Sequence, residues 1–187
     1  DMGIYFVRHG QTDWKGMGKL QGSSDIELNQ TGREQAEITR EHLKTIRMDE
    51  IYCSPLKRAK ETAEIINELW HLPIQLDDRL RERNFGKMEG CLRKDIPFDN
   101  IWSCTEEVKF QDGENAVDFY KRVEQFLSEI VPMAKDKEIL IVAHGGVSIP
   151  FQCYFEGYDH VDNLTKLIIS NCEVKAYKIE EKQISKG

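Results

Sequence analysis

Two histidines in this chain end apolar runs in the same way. Ile4-Tyr5-Phe6-Val7 leads into Arg8-His9-Gly10, and Ile139-Leu140-Ile141-Val142-Ala143 leads into His144-Gly145-Gly146. If both runs are parallel strands, both histidines lie at one edge of a sheet. A glycine after each lets the chain turn sharply and lets a ligand come close. One His-Gly pair says little, but two from opposite ends of the chain point to a shared site. Imidazole in such a site serves as a nucleophile, an acid or base, or a metal ligand. A metal centre needs carboxylates or a third histidine at ligand spacing. His42, His71 and His160 show no such spacing, so the metal reading is the weaker one.

Phosphoryl transfer asks for charge stabilisation on three equatorial oxygens and a proton for the leaving group. Arginine suits the first task because its planar fork binds phosphate through two N–H groups. Arg8 adjoins His9. Arg58 follows Ser54-Pro55-Leu56-Lys57, after a strand and in the first turn of a helix, which places it at the same sheet edge. A helix N-terminus there would favour an anion. A carboxylic acid can supply the proton. The stretch Leu80-Arg81-Glu82-Arg83-Asn84-Phe85-Gly86-Lys87-Met88-Glu89-Gly90 has little periodicity and reads as a loop that offers Glu82 and Glu89. Spacing alone does not choose between them.

These residues need a scaffold, and the apolar pattern describes one. Helical character runs over residues 34–45 after a turn at Gln30-Thr31-Gly32, over 56–69, and most clearly over 114–133. In the last, Phe119, Val123, Phe126, Leu127 and Ile130 recur on one face. Strand-like runs cover 4–7, 50–53, 139–143 and 174–179. This alternation predicts a three-layer α/β/α fold, a mostly parallel open sheet with helices on both faces. Ligands of such sheets bind beyond the carboxyl ends of the strands.

The 187 residues suit one domain over 1–187. Asp1 before Met2 reads as a leftover residue, with Met2 the natural start. The formal charge of −7 lacks the basic surplus of a nucleic-acid binder, so any phosphate site must be locally positive. No apolar run approaches the roughly 20 residues of a membrane span. The five cysteines, Cys53, Cys91, Cys104, Cys153 and Cys172, have no C-x-x-C spacing. They read as free, buried thiols of a cytoplasmic protein rather than as a disulfide or zinc framework.

With these residues in place, the chain resembles the histidine phosphatase superfamily, also called phosphoglycerate mutase-like. Four stretches carry the resemblance in order: Phe6-Val7-Arg8-His9-Gly10-Gln11-Thr12-Asp13-Trp14 with Leu20-Gln21-Gly22; Tyr52-Cys53-Ser54-Pro55-Leu56-Lys57-Arg58-Ala59; Leu80, Glu82, Phe85-Gly86 and Glu89-Gly90; and Val142-Ala143-His144-Gly145-Gly146. The resemblance implies that His9 is the nucleophile and Glu82 the general acid and base. Arg8, Arg58 and His144 would hold the phosphoryl group, with Gln21, Gly22 and Gly145 lining its pocket and Glu89 structural. No metal and no cofactor is implied. Lys15 departs from the family's usual asparagine. It can reach a phosphate as a point charge or swing into solvent. Lys19 is a milder change at a basic position.

The implied function is metal-independent hydrolysis of small-metabolite phosphate monoesters through a phosphohistidine. The alternatives are a phosphoglycerate mutase-type isomerase and a silent binder of phosphorylated ligands. Mutases carry longer segments over the site, whereas here a small cap around 91–113 and a short polar tail are expected. In that cap Trp102, Phe98, Phe110 and Cys104 either line a leaving-group pocket or pack the segment onto the domain.

Overall fold

The computed structural model describes residues 3–105, 108–157 and 164–180. Five strands form one sheet: β1 (Gly3–Arg8), β2 (Glu50–Cys53), β3 (Ile74–Leu76), β4 (Glu138–Ala143) and β5 (Val174–Lys178). Their order is β3-β2-β4-β1-β5. The first four are mutually parallel, and β5 runs antiparallel to β1 at one edge. The central strand β4 is buried at all six residues. Two-sided burial is what a continuous Ile-Leu-Ile-Val run demands.

Among the described residues there are five α-helices: α1 (Asp13–Gly16), α2 (Gln30–Leu43), α3 (Lys57–Ile66), α4 (Ala116–Met133) and α5 (Ser148–Glu156). Alternation along the strands sends neighbouring side chains to opposite faces. Ile4 and Phe6 of β1 and Ile139 and Ile141 of β4 therefore share one core with α4 and α5. Val7, Leu140 and Val142 share the other with Leu43 of α2 and Ala59, Ala63 and Ile66 of α3. The expected three-layer arrangement is thus the observed one. The α4 stripe of Phe119, Val123, Phe126, Leu127 and Ile130 is buried throughout. Each such side chain contributes about 1.5–3 kcal/mol relative to exposure. Among the described residues no helix is long and apolar enough to cross a membrane.

Residues 30–32 form the first turn of α2 rather than a turn before it. Asn29 accounts for this: its side-chain oxygen accepts the Gly32 N–H at 2.8 Å and caps the helix. Gly32 is needed for contact, since a Cβ there would stand 2.2 Å from the Gln11 carbonyl oxygen. A Cβ on Gly10 would likewise meet the Gly32 carbonyl oxygen at 2.4 Å. The start of α2 is pressed backbone to backbone on the loop that follows His9. The cysteines are all free, yet only Cys53 and Cys172 are buried, while Cys91 and Cys104 are exposed. The two exposed ones sit in the 91–113 segment, which sends Ile101, Trp102 and Phe110 into the core instead.

Candidate active site

Three neighbouring strands deliver their next residues to one edge. Arg8 pairs with Ala143 in the β1–β4 register, so His9 and His144 leave the sheet side by side. The His9 N–H donates to the Ala143 carbonyl at 3.0 Å, and the Ser54 N–H donates to the Val142 carbonyl at 3.0 Å. The two imidazoles lie 5.0 Å apart between centroids, inclined at 61°.

A hydrogen bond to a carbonyl fixes the tautomer of His9. His9 Nδ1 lies 2.7 Å from the Gly10 carbonyl oxygen, which only accepts. Nδ1 therefore carries the ring proton, and Nε2 carries the lone pair. Arg58 Nε–H points to that lone pair at 3.3 Å. His144 Nε2 lies 2.7 Å from the Ser54 hydroxyl, whose oxygen also accepts the Leu56 N–H. The hydroxyl oxygen has a second lone pair, so Ser54 can donate to Nε2 or accept from it. Nδ1 of His144 is buried and has no hydrogen-bond partner among the described residues. Both rings are held neutral. Burial pushes their pKa values well below the usual histidine value, and the Arg58 and Arg8 cations push them further.

The arginines are equally buried. Arg58 donates through its Nη atoms to the carbonyls of Gly22, at 2.7 Å, and Ser24. Burial lowers its pKa to about 10. Arg8 donates to the Ile169 carbonyl at 2.6 Å, while its buried Nε has no partner. Gly145 lies flat on the Arg8 guanidinium, where a Cβ would come within 3.0 Å of Cζ. Glu82 faces them. Its carboxylate accepts the Gly146 N–H at 2.8 Å and the Arg83 N–H at 3.0 Å. Burial raises its pKa despite those donors and the nearby Arg58 and Arg8 cations.

A cleft of about 340 Å³ opens above this floor, lined by Arg8, His9, Arg58, Glu82, Gln21, Gly22, Gly145, Gly146 and Lys15. Eight of the nine expected site residues line it. His144, with its ring centre 5.0 Å from that of His9, does not line the cleft and is fully buried. Gln21 is held by a 2.5 Å hydrogen bond from the Thr12 hydroxyl. Gly22 adopts φ +55, and its carbonyl is the acceptor that fixes Arg58. Lys15 is exposed at the rim, beside Arg8. The amino end of α3 is closed by Asp25, which accepts the Lys57 N–H at 2.7 Å, so that helix end already has its anion. Among the described residues no three His, Cys, Asp or Glu side chains gather as metal ligands, and His160 lies outside those residues.

The sequence profile of the histidine phosphatase superfamily (branch 1) matches residues 4–186. The chain belongs to the histidine phosphatase superfamily. It is 38% identical to the Uncharacterized phosphatase PhoE of Bacillus subtilis over 173 residues, which cover 91% of this chain and 87% of that protein. It is 31% identical over 148 residues to the Probable phosphoglycerate mutase GpmB of Enterobacter sp., covering 76% and 69%. Among solved structures, Bacillus stearothermophilus YhfR superposes with a TM-score of 0.84 at 28% identity, over 95% of this chain and 91% of that one.

Two more residues support this site: Glu89, expected to be structural from the resemblance, and Arg83, which carried no sequence signal. Glu89 accepts hydrogen bonds from the Ser23 N–H at 2.7 Å, the Phe85 N–H at 3.0 Å and the Ser24 hydroxyl. It ties the loop carrying Gly22 to the loop carrying Glu82. Arg83 is fully buried and donates to the carbonyls of Glu114, at 3.1 Å, and Ile101. Its guanidinium sits 5.1 Å from the Phe85 and Phe110 ring centres and 5.6 Å from that of Trp102. Of the expected leaving-group wall, only Trp102 lines the cleft, joined by Ile101. Phe98 and Phe110 pack edge to face beneath it, and Cys104 lies in a separate depression against Tyr120.

Proposed function

We propose that this chain hydrolyses phosphate monoesters of small metabolites through a phosphohistidine on His9, without a metal or cofactor. The observation that carries this reading is the His9 tautomer: a neutral ring whose Nε2 lone pair faces Arg58 on the floor of a basic cleft. The lone pair attacks phosphorus, and the bond to the leaving oxygen breaks. Protonated Glu82 gives that oxygen its proton. Glu82 carboxylate then takes a proton from water, whose oxygen attacks phosphorus. The P–N bond breaks, its electron pair returns to Nε2, and phosphate leaves. One hard displacement becomes two easier ones.

Arg8, Arg58 and His144 supply preorganised charge and hydrogen bonds to the equatorial oxygens. The Arg58 Nε–H bond to His9 is long at 3.3 Å, and a phosphoryl oxygen is a better acceptor for it. Gln21, Gly22, Gly145 and Lys15 complete the substrate-binding wall. Residues 91–113 act as a small cap within a single domain. A cap this brief leaves the phosphohistidine open to water, which favours hydrolysis over phosphate isomerisation.

The test is p-nitrophenyl phosphate hydrolysis in EDTA by the parent and His9→Ala. Turnover in the parent alone is expected. Loss of parent activity on chelation, restored by metal, contradicts the mechanism. Interconversion of phosphoglycerate isomers faster than phosphate release contradicts the preference for hydrolysis.

A further inference from the structure

Glu82 belongs to no strand and no helix. On the cleft side its carboxylate accepts the Gly146 and Arg83 N–H groups. A second hollow of about 390 Å³ adjoins it, lined among others by Asn84, Glu114 and Arg122. Glu82 lines this hollow as well as the catalytic cleft, so side-chain packing does not close around it. A proton donor has to be held within about 0.5 Å of its working position. In an irregular segment flanked by two cavities, hydrogen bonds to the backbone have to do that.

Arg122, on α4, supplies them. A guanidinium has five N–H donors in one plane, and here every one has an acceptor. Nη1 donates to the carbonyls of Arg79 at 2.7 Å and Arg81 at 2.8 Å. Nη2 donates to the carbonyl of Glu82 itself at 3.1 Å and to the Glu114 carboxylate at 2.7 Å. Nε donates to the other Glu114 oxygen at 3.2 Å, which makes that pair two-pronged. Glu114 carries the hold past Glu82: it accepts the Asn84 N–H at 3.0 Å, and its own N–H donates to the Asn84 carbonyl at 2.8 Å. The guanidinium stands 4.7 Å from the ring centre of Phe119, a fully buried residue of the same helix. A packed helix thus carries a planar fork that grips the backbone on both sides of the acid. Lysine has no such fork.

We propose that Arg122, oriented by Glu114, is a positioning residue for proton transfer: it sets where the Glu82 carboxyl meets the leaving oxygen. Arg122 does not line the catalytic cleft, so it acts through Glu82 rather than on the substrate. The role rests on the reading of Glu82 as the general acid.

The test assays Arg122→Ala and Arg122→Lys, alone and combined with Glu82→Gln, on glycerol 3-phosphate and on p-nitrophenyl phosphate. Moving the acid by about 1 Å should lower kcat on glycerol 3-phosphate by about 10² in either variant, with KM within about threefold of the parent. p-Nitrophenyl phosphate needs little protonation and should slow by less than about threefold. With Glu82→Gln already present, neither variant should cost more than about threefold further, since residues that act as one unit are not additive. Arg122→Lys keeps the charge without the fork, and it carries the test if Arg122→Ala does not fold. The Gly146 amide proton reports the same placement without turnover. Its resonance in a ¹⁵N–¹H spectrum should move upfield in both variants, as its bond to the Glu82 carboxylate lengthens. Equal losses on the two substrates, a full loss repeated on Glu82→Gln, a parent-like rate in Arg122→Lys or an unmoved Gly146 resonance overturns the positioning role. Any of these alongside phosphate release by the parent would sink that role and leave hydrolysis standing. A shifted Gly146 resonance with no phosphate release by the parent would sink hydrolysis and leave the placement of Glu82 by Arg122.

Discussion

The neutrality of His9 has a consequence for stability that can be measured without any substrate. His9 is fully enclosed beside two guanidinium groups, and its pKa in the folded protein lies well below 6.5. In the unfolded chain it titrates near 6.5. Below that pH the unfolded state binds a proton that the folded state does not, so stability falls as pH falls. With native His9 neutral throughout, the loss between pH 7 and pH 5.5 is about 1.3 kcal/mol from this residue alone. His144 has the same sign and adds its own share. Surface carboxylates add more, so the comparison is with His9→Ala, which keeps them all. Urea unfolding of both proteins at pH 7 and pH 5.5 isolates the residue. The parent should lose about 1.3 kcal/mol more than the variant. Equal losses would mean that His9 titrates alike in both states. A smaller loss in the parent would mean that folded His9 is protonated. Either result would refute the argument that makes its Nε2 a nucleophile.

Three further substitutions separate the roles. Glu82→Gln should slow hydrolysis of alkyl phosphates by about 10²–10⁴ while barely affecting p-nitrophenyl phosphate, whose leaving group needs little protonation; equal losses on both would remove the acid role. Gly146→Ala places a Cβ 2.3 Å from both Glu82 Oε1 and the Trp102 ring. Moving the acid by about 1 Å should lower kcat by about 10², and unchanged kcat would show that Glu82 is not positioned there. Arg83→Ala strands the carbonyls of Glu114 and Ile101, at about 1–3 kcal/mol for each one left buried and unpaired. Urea unfolding should show that loss, and a variant as stable as the parent would contradict the anchoring of the 91–113 segment by Arg83.

The elements that position His9 and His144 were legible because both strands before the histidines are buried on two sides and therefore read as unbroken apolar runs. The helix α4 was legible through its one-sided stripe. The helix α5 was not: Ser148, Ile149, Pro150, Phe151 and Gln152 are all buried, so no polar face marks the period. The start of α2 was misplaced because Thr31 and Gly32 resemble a turn, and the Asn29 cap that makes them helical acts through a side-chain bond. At the site, residue types and family motifs indicated His9, Arg8, Arg58, Glu82 and His144. The family motif also marked Glu89 as structural, and it joins two loops. Arg83 was hidden for a physical reason: it lies in a charged loop where nearly all such residues are solvated, and only the fold reveals that it is buried under three aromatic rings.

The central claim is a covalent phosphoryl group on His9, and rapid acid-free quenching tests it most directly. The parent is mixed with ³²P-labelled phosphate monoester, denatured in alkali within milliseconds and digested. The account predicts an alkali-stable, acid-labile label on the peptide that contains His9, and none in His9→Ala. Label on another residue, label that persists in His9→Ala, or phosphate release at full rate from His9→Ala would contradict it.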